Sequence, residues 1–156
     1  MTHRTPFSTN TPPLPVSLKL AYVSFLVVQS LEVFLFTFFP QFLARGTALA
    51  KGEFFSLRSI GVTLLPVMLF FHYAYHHHPS TPIGALALRI FNIYHGLICV
   101  ADMLTLWEQA HGHESGFGDT NASLAFHAFW LAGGVVGGMK ARRYSPDPAL
   151  FKSKCF

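Results

Sequence analysis

Residues 82–107 form one long apolar run that nonetheless carries Arg89, Asn92, His95 and Asp102. On a helix advancing about 100° per residue, these four fall within roughly 140° of arc. The run therefore reads as an oily cylinder with a single polar stripe. Ionisable groups inside a membrane helix are costly and face a bundle interior or a wet cavity. A chain containing such a segment is expected to fold as a membrane bundle with a polar interior.

Composition agrees. Of 156 residues, 51% are hydrophobic and only 12% charged, and seventeen are Phe. Soluble domains carry about twice that share of charge. A chain this short cannot enclose so much apolar surface in one water-soluble core. The net charge of +4 raises the question of nucleic acid. Its basic residues, however, cluster near the ends and in one loop, and no nucleic-acid-binding motif is present. A positive flank beside a membrane explains them. Cys99 and Cys155 give no disulfide framework and read as a packing residue and a tail thiol.

Residues 1–15, rich in Thr and Pro, are expected to be a flexible polar tail. Four apolar stretches follow, at about 20–43, 57–75, 83–107 and 121–139. Each has roughly the 20 residues needed to cross about 30 Å of hydrocarbon. None shows strand alternation, and short connectors place sequential helices antiparallel. The predicted fold is all-α, an up-down-up-down four-helix bundle over residues 16–143, with a basic tail at 144–156. The first stretch is longer and more polar than the apolar core of a cleaved signal, since it contains Gln29 and Glu32.

With four spans, both termini share a side, which holds Arg4, Lys19, Lys140, Arg142, Arg143, Lys152 and Lys154. The positive-inside bias predicts cytoplasmic termini. Arg45 and Lys51 fall on the other side, with Glu108, Glu114 and Asp119. Span length points toward an internal membrane such as the endoplasmic reticulum.

Depth along each helix suggests which polar groups meet. Glu32 and His95 both lie near mid-membrane, with Asn92 one turn from His95. A central Glu32–His95–Asn92 cluster and an outer Arg58–Asp102 ion pair are therefore predicted. A lone carboxylate at the depth of Glu32 should be neutral or paired. On the fourth stretch, His127, Trp130, Gly134 and Gly137 share a face. Gly133, Gly134, Gly137 and Gly138 form two overlapping small-xxx-small registers, suited to packing within the bundle or to a homo-oligomer.

His72, His76 and His77 stand in an H-x-x-x-H-H spacing that resembles one histidine box of the membrane di-iron desaturases and hydroxylases. Imidazoles four residues apart on a helix can chelate a metal. Those families use several boxes, and His95, His111, His113 and His127 do not make a second one. No metal site is therefore predicted: a His-rich interfacial loop is the simpler reading, and the candidates for an ion are His72, His76 and His77, or His111 and His113 with Glu114. A bis-histidine haem between His72 and His127 would need residues from opposite faces, so no cofactor is predicted. No nucleophile elbow, phosphate loop, C-x-x-C or H-E-x-x-H is present.

In span number and length the chain is similar to small four-helix membrane proteins, among them DoxX-like proteins and fungal biosynthetic-cluster membrane proteins. The resemblance to the biosynthetic-cluster proteins, and not the layout itself, implies an expected role in small-molecule biosynthesis. Three functions fit the polar interior. One is an enzyme using proton transfer to isomerise or cyclise a lipophilic substrate, with Glu32 and His95 as acid and base and Asn92 or Asp102 orienting. The second is a non-catalytic accessory that binds lipid or a partner, its polar residues acting as interhelical glue. The third is a small transporter.

Overall fold

In the computed structural model of the chain, residues 13–42, 51–112 and 119–143 are described, all but the side chains of residues 42 and 51–53. They form four long helices, α1 (Val16–Phe38), α2 (Lys51–Ala74), α3 (Pro82–Ala110) and α4 (Thr120–Arg143), with one 3-10 turn at Pro40–Phe42. No strand occurs among the described residues. All four helices are long and apolar enough to cross a membrane. The protein is a multi-pass membrane four-helix bundle.

Helix ends follow local chemistry. Proline disfavours helical geometry in the residue before it. Pro40 accordingly stops α1 at Phe38, whereas the hydropathy pattern suggested that the span ran on to residue 43. At the start of α3, Pro82 occupies the first turn and the Thr81 hydroxyl accepts the Gly84 N–H at 3.1 Å. That arrangement satisfies one of the donors a helix start leaves open. Asp119 does the same for α4, its Oδ1 accepting from the N–H groups of Asn121 and Ala122. The basic residues Lys140, Arg142 and Arg143 fill the last turn of α4, where cations complement the helix dipole. The terminal tails and most of the third loop, including His113 and Glu114, lie outside the described residues.

Packing is uneven around the ring. α1 packs broadly on α2 and α4, and α3 packs broadly on α4, while α2 and α3 touch little. Side chains cross the centre instead. Phe25 of α1 sits edge-on to Phe71 of α2, Phe91 of α3 and Trp130 of α4, at centroid separations of 5.3–5.5 Å. Edge-to-face pairs of this kind add to the burial of large rings. In lipid there is little hydrophobic drive between helices, so such close packing carries much of the association. The glycines of α4 serve it too. A Cβ on Gly137 would lie 2.5 Å from the Leu18 Cβ, one on Gly133 would meet Ala21, and one on Gly138 would meet Leu88. Gly134 faces the Asn92 amide. The four glycines considered for a homo-oligomer thus face α1 and α3 of their own chain.

Candidate functional site

The seam between α3 and α4 carries the polar chemistry. As partners step down α3 they step up α4, the register of an antiparallel pair. Asp102 Oδ2 accepts from the Ser123 hydroxyl at 2.9 Å. His95 Nδ1 lies 2.8 Å from His127 Nδ1, both residues being buried. Asn92 packs against Gly134, and below them Leu88 packs against Gly138. All four residues of the polar stripe therefore lie along α4: Asp102, His95 and Asn92 in the seam, Arg89 beside a groove at its basic end.

Around the histidine pair the wall is aromatic. Phe25, Phe91, Tyr94 and Trp130 all have ring centroids within 5.1 Å of the His95 ring. Trp130 is itself anchored, its Nε1 donating to Ser24 Oγ of α1 at 2.9 Å. His95 Nε2, Asn92 Oδ1 and Tyr22 Oη are buried without a hydrogen-bond partner among the described residues. Asp102 is also within electrostatic reach of His127. Asp102, His127 and His95 thus form a row along the half of the seam nearer the start of α4.

Two expected contacts are replaced. The Glu32–His95–Asn92 cluster does not form. Glu32 Oε2 accepts instead from Gln29 Nε2, one turn away on α1, at 3.0 Å. The reason is the register of α1: it meets His95 with Phe25, seven residues before Glu32, at 5.0 Å between ring centroids. Glu32 reaches α3 only electrostatically, at Tyr94. The Arg58–Asp102 ion pair is likewise absent, because α2 barely touches α3. Arg58 is exposed, and Asp102 bonds Ser123.

The histidine-box geometry also changes. α2 ends at Ala74, so His76 and His77 lie in the following turn and do not share a helix face with His72. The rings of His72 and His76 lie tilted against Tyr75, and that of His77 against Tyr73. The breaker is the Pro79 turn, where His78 Nδ1 lies 2.8 Å from Ser80 Oγ. No group of three or more metal-ligating side chains occurs among the described residues.

Two residues have roles that the sequence reading did not give them. Helical spacing puts His127 on a face with Trp130 and Gly134 but says nothing of His95; the antiparallel register of α3 and α4 is the signal that pairs them. By its position in the sequence Arg142 is only part of a basic flank. It lines a groove of about 550 Å³ between the basic ends of α3 and α4, together with Arg89, Asn92, Leu86, Val135 and Met139. The walls are mostly apolar, and Leu86, Val135 and Met139 are 44–55% exposed, so the groove opens sideways toward the surrounding lipid. Glu32, His95, His127 and Asp102 do not line it. Comparisons with protein-family models, curated proteins and solved structures give no match, so the function is argued from this geometry.

Proposed function

We propose that this multi-pass membrane protein holds an amphiphile from the bilayer in the groove between α3 and α4, acting by binding rather than by turnover. One observation carries the reading. The groove joins an apolar, lipid-facing wall to two arginines and an amide, while the acid–base residues sit elsewhere in the bundle. Ligand sites are typically concave and apolar with a few placed polar groups, and this groove's volume falls in their range of about 300–1,000 Å³. The buried polar pairs then serve as interhelical fasteners, each worth roughly 0.6–2 kcal/mol. The basic end of the bundle would face the cytoplasm.

The test is photo-labelling. The purified full chain, reconstituted in bilayers containing a phosphatidylcholine with a diazirine in its acyl chain, is irradiated and the adducts are mapped. Labelling concentrated on Leu86, Val135 and Met139, and lost when Ala85→Trp, on the groove wall, fills the groove, supports the reading. Labelling spread evenly over the exposed faces of all four helices overturns it.

A second reading keeps acid–base chemistry. It is favoured by the row Asp102, His127, His95, whose last member has a buried, unpartnered Nε2. In it His95 is the acid or base, His127 shares its proton, and Asp102 orients His127, while Glu32 and Asn92 lie outside the row. Comparing metabolites in cells carrying the wild-type chain or His95→Gln tests it. A conversion lost in the variant, at unchanged protein level, would favour turnover over binding.

A further inference from the structure

Glu32 belongs neither to the α3–α4 groove nor to the histidine row, although a carboxyl inside a bilayer is costly to carry. It sits on α1, six residues and so about 9 Å of helix rise before that helix ends at Phe38. It follows Phe25 by seven residues, nearly two turns, so both side chains project toward the bundle. Phe25 is fully buried whereas Glu32 is only partly so, which leaves the carboxyl open to approach from outside the bundle. Among the described residues that carboxyl accepts one hydrogen bond, from the Gln29 amide at 3.0 Å. An ionised carboxylate offers about four acceptor positions and, within a membrane, is ordinarily paired with a cation. No lysine or arginine among the described residues fills that place. Lys19 is thirteen positions back along α1, Arg58 on α2 is exposed, Arg89 lines the groove, and the basic residues of α4 occupy its last turn. Of the titratable groups on α3 and α4, Tyr94 lies within electrostatic reach, while His127 is bonded to His95 and Asp102 to Ser123. We propose that Glu32 and Gln29 form a proton-binding site inside the membrane, in which the carboxyl is held as the neutral acid and stays open to apolar reagents.

The donor set selects a proton over a metal ion. A hard cation gathers about six or more oxygen ligands, whereas Gln29 turns an N–H toward the carboxyl. A neutral acid in such a place has a defined reactivity toward dicyclohexylcarbodiimide, an uncharged apolar reagent. The acid proton passes to one carbodiimide nitrogen as the carboxyl oxygen bonds to the central carbon. The acyl group then shifts from that oxygen to the other nitrogen, leaving a stable N-acylurea. No atom is lost, so the side chain gains the mass of the whole reagent.

The full chain in phosphatidylcholine vesicles, with a soluble glutamyl peptide in the same suspension, is treated with this reagent and the adducts are mapped by mass spectrometry. Label on the peptide should fall about tenfold for each pH unit above about 5, as its carboxyl ionises. Label on Glu32 should change by less than about twofold between about pH 6 and about pH 8. Sodium chloride in place of choline chloride should leave it unchanged. Gln29→Lys sets an ammonium beside the carboxyl and should cut the Glu32 label by about tenfold or more at the higher pH. Gln29→Leu, which adds no charge, should keep it. Absence of a Glu32 adduct while the peptide reacts overturns the proposal. So does a Glu32 label that falls with pH in parallel with the peptide, or one that sodium protects. Those three outcomes use the wild-type chain alone. Wild-type labelling in Gln29→Lys, with an unchanged sizing profile in detergent, overturns it as well.

Discussion

The Nδ1 atoms of His95 and His127 face each other at 2.8 Å across the α3–α4 seam, so one ring donates the hydrogen bond and the other accepts it. The two imidazoles must hold complementary tautomers. Replacing one strands the other, because a buried polar atom without a partner costs about 1–3 kcal/mol. His127→Leu is therefore expected to lower the melting temperature of the detergent-solubilised protein. The double variant His95→Leu/His127→Leu should be less destabilised than the two single effects together, with a coupling of roughly 0.6–2 kcal/mol. Strictly additive single effects would mean that the rings do not share a hydrogen bond.

The glycines of the bundle should separate sharply under alanine substitution. A Cβ on Gly137 would sit 2.5 Å from the Leu18 Cβ and 3.1 Å from its Cα, so α1 and α4 would have to part. Overpacking of that kind costs about 1–3 kcal/mol. Around Gly96, in the middle of α3, nothing lies within 4 Å of the added atom. Gly96→Ala should then be neutral or stabilise by up to about 1 kcal/mol, since glycine is the poorer helix former. Thermal unfolding of the two variants in the same detergent checks the contrast. Equal losses at both positions would contradict the packing of α4 on α1.

The architecture was legible because bilayer thickness converts directly into run length, and because a stripe such as Arg89, Asn92, His95 and Asp102 must turn away from lipid. What the sequence could not give was rotation and register between helices. Depth alone places Glu32 level with His95, yet α1 presents Phe25 there and leaves Glu32 to Gln29. Similarly, α2 and α3 are consecutive and antiparallel, which suggested contact between Arg58 and Asp102, but α2 leans on α1. The groove at the basic end was invisible for a related reason. Arg89 and Arg142 are 53 positions apart in the numbering, and only the antiparallel crossing of α3 and α4 brings them to one trough.

That difference in helix order makes a further test. Exchanging the charges in Arg58→Asp/Asp102→Arg should give no recovery over Asp102→Arg alone in membrane protein level, because Arg58 is exposed on α2, which barely touches α3. Asp102→Ala and Ser123→Ala should instead be coupled, since each removes one half of the same 2.9 Å hydrogen bond. A charge-swap rescue would place α2 against α3 and undo the helix order described above.

The turn between α2 and α3 should be sensitive to acid through His78. Its Nδ1 accepts the backbone N–H of Ser80 at 3.2 Å, so the neutral ring carries its proton on Nε2. Burial of the ring holds its pKa below the ordinary histidine value. The unfolded chain therefore takes up a proton first as pH falls past about 6.5. Stability from this group is complete above that pH and declines toward the lower pKa of the folded state, where the protonated ring can no longer accept from Ser80. Hydrogen exchange at the 78–82 turn, corrected for intrinsic rates, should accelerate on moving from about pH 7.5 to about pH 5.5. His78→Asn offers an amide oxygen in place of Nδ1 and does not titrate, so its exchange should be flat over the same window. A pH response that survives unchanged in His78→Asn would mean that the His78 ring does not carry the acid sensitivity of this turn.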